Sequence, residues 1–192
     1  MNSVRNLLEI WGIDGLVDII VGTGGAEIYD YILDIEKANY PLDGELIKDI
    51  MKHYKGMNLN FTVPYNGILY ATYDDHYIQA LATGDRVPYE VVDFNEFLEK
   101  PKAKLMIVCH PDYMDEVIER SKTYSNEKFK SSSLKTCSDL YEYMDPRVTK
   151  TNGLIEALGV HEITLDQVCT FGDADNDNDG IGKYIEKYVL FK

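Results

Sequence analysis

V-C-T-F-G-D-A-D-N-D, Val168 to Asp177, runs from an apolar stretch through a glycine into a string of carboxylates. Gln167 to Phe171 has the composition of a buried strand, and Asp173, Asp175, Asp177 and Asp179 follow at alternate positions. Carboxylates so crowded repel one another unless a cation neutralises them. Oxygen-only donors favour Mg²⁺ or Ca²⁺ over zinc. The plain alternative is a solvated polar turn, where Asp and Asn bond their own backbone. A strand delivering acidic groups at its carboxyl end, with helices on either side in sequence, is the α/β arrangement in which ligands bind.

Working outward, Lys150 to Val160 (K-T-N-G-L-I-E-A-L-G-V) reads as the helix before this strand, and Gly182 to Phe191 as a closing amphipathic helix. At the other end, Asn2 to Trp11 reads as an amphipathic helix stopped by Gly12. Leu16 to Val21 (L-V-D-I-I-V) reads as a buried strand running into the tight turn Gly22 to Gly25, and Ala26 to Ile35 as one or two short strands. In the middle, Asp43 caps a helix over Asp43 to Tyr54 in which Leu46, Ile47, Ile50 and Met51 share a face. N-F-T-V-P-Y-N-G-I-L-Y-A-T-Y alternates about Asn66-Gly67, a hairpin signal. Asp93 to Lys100 reads as a short helix or loop, Lys104 to Cys109 as a strand, and Pro111 to Tyr124 as a helix. Lys128 to Cys137 and Asp139 to Met144 read as two further strands. The middle thus reads strand–helix–strand–strand twice, an antiparallel sheet with helices on one face.

Of 192 residues, 45% are hydrophobic and 27% charged, the balance of a folded globular chain. Acidic residues outnumber basic ones 33 to 19, for a formal charge of −14. Such a surface repels phosphate backbones and anionic lipid, so neither nucleic acid nor a membrane is an expected partner. A small anion remains admissible where a metal or a local positive charge receives it. Cys109 and Cys169 lie in apolar runs and read as core residues. Three widely spaced cysteines with no signal peptide and no membrane-length apolar run set the expectation of a cytoplasmic protein. His53, His76, His110 and His161 have no metal-ligand spacing and read as surface or capping residues.

F-G-D-A-D-N-D resembles the fourth motif, G-D-x-x-N-D, of the haloacid dehalogenase superfamily of phosphatases. V-T-K-T-N-G-L-I-E-A-L-G-V, from Val148, resembles the segment carrying that family's motif-three lysine. G-I-D-G-L-V-D-I-I-V-G-T-G-G-A-E-I-Y-D, from Gly12 to Asp30, resembles the strand that precedes the cap in the Cof-like, type IIB branch, and K-L-M-I-V-C-H-P resembles that branch's cap. The resemblance implies an α/β fold: a Rossmann-type core, here reduced, from residues 1–30 and 145–192, with an α+β cap over 31–144. It implies Mg²⁺-dependent hydrolysis of small phosphate monoesters through an aspartyl-phosphate. Asp173 and Asp177 would hold the metal with Asn176 fixing the loop. Lys150 would neutralise the transferring phosphoryl group, and Thr23, Gly24 and Gly25 would face the phosphate, with glycine at 24 where the branch usually has asparagine.

The family's nucleophile motif, D-x-D-x-T, has no upstream copy; D-x-D occurs only within Asp173–Asp179. The resemblance therefore assigns the nucleophile to no residue of this chain. The expectation is a shortened relative or truncated product, its cap whole and its core depleted, in which independent turnover is not expected. A core sheet lacking a central strand would draw in a partner chain, in the simplest case a second copy. From a different class, D-N-D-N-D-G-I-G-K-Y-I-E, Asp175 to Glu186, fits the calcium loop pattern D-x-[DN]-x-[DN]-G-x₅-E of an EF-hand. That alternative is a non-catalytic binding protein with Ca²⁺ in place of Mg²⁺.

Overall fold

Amphipathic spacing places helix α1 over Asn2–Trp11 in the computed structural model, which describes residues 2–172 and 188–190. Gly12, at φ +66°, ends it, its amide donating to the Glu9 carbonyl. The next strand starts later than the apolar run implies: Asp14–Leu16 is a 3-10 turn, Leu16 is 80% exposed, and β1 spans Ile19–Gly22. The Asp14-Gly15 turn, not hydropathy, sets Leu16's conformation. Strand β2 (Glu27–Asp30) pairs antiparallel with β1, and β3 (Ile35–Ala38) pairs antiparallel with β2. Gly22 faces Glu27 in that register, so Thr23 to Ala26 forms the hairpin connection.

Helix α2 (Gly44–His53) starts at its expected cap, the Asp43 carboxylate accepting from the Glu45 amide at 2.8 Å. Such a cap contributes about 1 kcal/mol. Strands β4 (Asn60–Tyr65) and β5 (Ile68–Ala71) form the hairpin around Asn66 and Gly67, at φ +48° and +78°, the signs of a type I′ turn. Then come helix α3 (His76–Asp85), strand β6 (Tyr89–Val91), the short helix α4 (Phe94–Phe97), strand β7 (Leu105–Val108), helix α5 (Met114–Ser121), and strands β8 (Ser132–Lys135) and β9 (Leu140–Met144). Sheet order is β6-β5-β4-β7-β9-β8.

Two expectations for this sheet are corrected. β5 and β6 pair in parallel, with α3 as their crossover, so the sheet is mixed rather than antiparallel. Helices also cover both faces. Leu46, Ile47 and Ile50 of α2 and Met114 and Val117 of α5 pack with Phe61, Val63, Leu105, Ile107, Tyr141 and Tyr143 on one face. Ile78 and Ala82 of α3 pack with Leu69, Ala71, Met106, Val108 and Leu140 on the other. Burial on both faces explains why L-M-I-V in β7 is apolar throughout rather than alternating. Glu142, buried in β9, is paired with Lys104 and accepts from the Thr136 hydroxyl at 2.7 Å.

Helix α6 spans Lys150–Val160, as read from the sequence. Strand β10 (Thr170–Gly172) follows, pairing in parallel with β11 (Tyr188–Leu190). That strand replaces the last part of the expected closing helix: Y-V-L is aromatic and β-branched, and a parallel partner wins over helical periodicity. The rest of that expected helix lies outside the described residues. Cys109 is buried as read, whereas Cys169 is exposed on the approach to β10.

The chain divides into two units. One comprises Gly15–Asn39 and the described residues from Arg147 onward; the other comprises Asn2–Asp14 and Tyr40–Pro146. No helix among the described residues is long and apolar enough to cross a membrane.

Candidate functional site

The first unit is built around a backbone contact between the hairpin turn and the start of α6. Along β1, burial alternates, with Ile20 and Gly22 inward. The chain then enters left-handed backbone at Thr23 (φ +53°), Gly24 (φ +66°) and Gly25 (φ +106°). For the β-branched threonine this conformation costs about 1–3 kcal/mol, and such strain concentrates at functional positions. Its hydroxyl donates to Glu27 Oε2 at 2.5 Å, tying the strained residue to the next strand.

Two glycines permit the contact. A Cβ on Gly25 would stand 2.0 Å from the Thr149 carbonyl oxygen, and one on Gly153 would stand 2.6 Å from Val21 Cγ1 and 2.8 Å from Gly25 Cα. Backbone lies against backbone here, which only hydrogen side chains allow. Thr149 is also the N-cap of α6, its hydroxyl accepting from the Asn152 amide at 3.0 Å. Asn39, 4% exposed, holds the turn from behind: its amide donates to the Ala26 carbonyl at 2.7 Å and its side chain to the Gly25 carbonyl at 3.4 Å.

This arrangement brings together residues the sequence singled out separately. Gly25 abuts Thr149, so Thr23, Gly24 and Gly25 lie beside Lys150, the half-buried first residue of α6. A helix start offers amide donors and the positive end of the dipole, and an ammonium there adds a full charge, a combination chemically suited to an anion. Asp173, Asn176 and Asp177, and the calcium-loop residues Asp175, Asp179 and Glu186, lie outside the described residues. Strand β10 ends at Gly172, directly before the first of them. Among the described residues no group of three or more His, Cys, Asp or Glu could hold a metal. As donors, two carboxylates and a side-chain amide are hard oxygen ligands that fit Mg²⁺.

Residues the sequence reading passed over are Asn39, Thr149, Gly153 and Glu27. Gly153 carried a signal, since a glycine inside a helix costs about 1 kcal/mol against alanine and asks for a packing reason. Asn39 carried none. At the far end of α6, His161 Nε2 lies 2.5 Å from Asp30 Oδ2. Burial opposes the charge on Asp30, but the His161 hydrogen bond and the Leu33 and Ile32 amides outweigh it and hold the carboxyl below its ordinary pKa.

The family model for haloacid dehalogenase-like hydrolases matches residues 1–179. The chain belongs to that family. A haloacid dehalogenase-like hydrolase from Bacteroides thetaiotaomicron superposes with a TM-score of 0.80 at 16% identity, over 98% of this chain and 77% of that one. One from B. subtilis gives 0.74 at 13% identity, covering 98% and 73%. A haloacid dehalogenase subclass IIB sugar phosphatase gives 0.69 at 13% identity, covering 98% and 76%. At these identities the likeness is one of fold, the mixed α/β architecture of haloacid dehalogenase-like hydrolases. No curated protein matches the chain.

Proposed function

We propose that this haloacid dehalogenase-like chain carries the phosphate- and Mg²⁺-binding side of a type IIB phosphatase site for small phosphate monoesters, with an attacking carboxylate that residues 1–192 do not supply. The observation that carries the reading is the seating of Gly25 on the Thr149 carbonyl, which fixes the strained turn beside Lys150 and the start of α6. The helix start and the Lys150 ammonium would bind the phosphoryl oxygens and stabilise the charge that builds on them. Thr23 and Gly24 would border the same anion. Asp173 and Asp177 would hold the metal, with Asn176 fixing their loop; when bound, Mg²⁺ supplies charge neutralisation at the phosphoryl group. A similar structure is a sugar phosphatase, which supports phosphorylated sugars as the first substrates to assay.

The family's attacking carboxylate corresponds to no residue in 1–192, so the test reads binding as well as turnover. Titration of the chain with inorganic phosphate or tungstate in Mg²⁺ is run beside hydrolysis of p-nitrophenyl phosphate and sugar phosphates. Saturable anion binding is expected, weakened about tenfold in Lys150→Ala, the worth of one charge-assisted hydrogen bond. Any turnover should fall by about a hundredfold or more. Absence of binding at millimolar phosphate, or equal binding by Lys150→Ala, overturns the reading.

A further inference from the structure

We propose that the second unit carries a separate binding site for a small organic anion with an apolar body, in a groove between α2 and the β6–α4 connection. The groove encloses about 990 Å³, within the range of pockets that take drug-sized molecules. Its floor is apolar, from Met51, Phe61 and Phe94, and Val91 at its rim leaves 49% of its surface exposed. An exposed valine at a strand end, continuous with a buried phenylalanine floor, is surface that gains by being covered.

The polar groups settle the sign of the ligand. Lys48, Lys52 and Lys55, spaced to share one side of α2 and the turn after it, line the groove in a chain whose net charge is −14. Lysines at a helix C-terminus also complement its dipole. Here, though, the other polar lining groups are already engaged. The Thr72 hydroxyl donates to Asn60 Oδ1 at 2.9 Å and accepts from the Phe61 amide at 3.2 Å. Asp93, the one carboxylate among the lining residues, caps α4 by accepting from the Asn95 amide at 2.8 Å and from its side chain. Lys48 reaches Glu45 at 3.0 Å, an exposed pair one turn away that leaves most of its donor capacity. Lys52 and Lys55 are exposed and make no ion pair among the described residues. The groove therefore presents hydrocarbon below and unspent ammonium donors above, the complement of a carboxylate or phosphate on an aryl or alkyl body.

The test uses one body with three headgroups: 2-naphthoate, 2-naphthyl phosphate and neutral 2-naphthol. They are titrated by amide-resolved NMR, with the phosphate arm in the Lys150→Ala chain so that the first unit does not contribute. Expected are saturable shifts confined to residues 48–55 and 91–95, at least tenfold weaker binding of the naphthol, and at least tenfold weaker binding of both anions by Lys52→Glu/Lys55→Glu. The tighter of the two anions names the headgroup. Equal affinity for naphthol, shifts that map elsewhere, or no saturation at millimolar ligand overturns the site. If the charge reversal unfolds the chain, the headgroup comparison on the unsubstituted residues decides.

Discussion

Asp30 and His161 join the two chain segments of the first unit, carboxylate to imidazole at 2.5 Å, with side chains 7% and 16% exposed. Asp30 ends β2, and His161 caps the C-terminus of α6. Because the carboxyl titrates below its ordinary 3.8 when folded, its ionised form stabilises the native state. That contribution is complete above the unfolded value and disappears as pH falls through the lower folded one. Asp30→Asn should lower the melting temperature at neutral pH, and the two curves should converge in acid, once the pH is below the folded carboxyl's lowered value. A gap that persists there would assign the effect to the amide alone.

Gly153→Ala should reverse the usual sign of a glycine-to-alanine change. In an open helix interior it would stabilise by about 1 kcal/mol. Here the methyl meets Val21 Cγ1 and Gly25 Cα at 2.6 and 2.8 Å, so a loss of about 1–3 kcal/mol is expected in urea unfolding.

Thr149→Ala removes the oxygen that accepts the Asn152 amide and should cost about 1 kcal/mol, while Thr149→Ser should restore it. Since Lys150 follows directly, the alanine variant should also weaken phosphate binding more than its stability loss requires.

In the second unit, the hydroxyl of Tyr54 meets that of Tyr143 at 2.7 Å and donates to the Val117 carbonyl at 3.2 Å. Burial raises both phenols, Tyr143 to about 12 and Tyr54 further, so neither gives up its proton while folded at pH 10. The unfolded chain ionises first, so stability should decline as pH climbs past about 10. Absorbance at 295 nm should show these phenols ionising together with loss of near-ultraviolet dichroism. Tyr54→Phe should cost about 1–2 kcal/mol at neutral pH.

Metal titrations followed by melting temperature separate the two loops that overlap after β10. Mg²⁺ is expected to raise the temperature, since a ligand of the native state must, and Asp173→Asn to abolish the rise while Glu186→Gln spares it. A response to Ca²⁺ lost in Glu186→Gln would favour the EF-hand loop instead.

What the sequence disclosed followed local rules. Asp43 before an amphipathic stretch and Asn66-Gly67 between alternating runs each encode a structure within a few residues, and α6 began and ended where its pattern said. H-Y-I-Q-A-L-A-T-G-D hid α3 because its two buried residues, Ile78 and Ala82, present little contrast with the alanines and threonine around them. Missing it turned a two-faced mixed sheet into a one-faced antiparallel one. Y-V-L at β11 depended on a distant partner, Thr170 to Gly172, that no window could contain. In the site, Lys150 and the Gly22–Gly25 turn were each legible. Their adjacency was not, because it rests on where two absent Cβ atoms would have fallen.

The Gly25–Gly153 contact also sets an order of events during synthesis. The two glycines stand on either side of Tyr40–Pro146, the larger part of the second unit, so a ribosome emitting about 5–20 residues per second delivers that unit's last strand, β9, before Gly153 exists as a partner. The turn holding Thr23 in left-handed backbone must therefore wait, its Gly25 face uncovered, while the six-stranded sheet has all its strands in hand. Seating of Gly25 on Thr149 is thus the late step in this molecule's assembly, and a nascent chain released early would have its groove before it had Lys150.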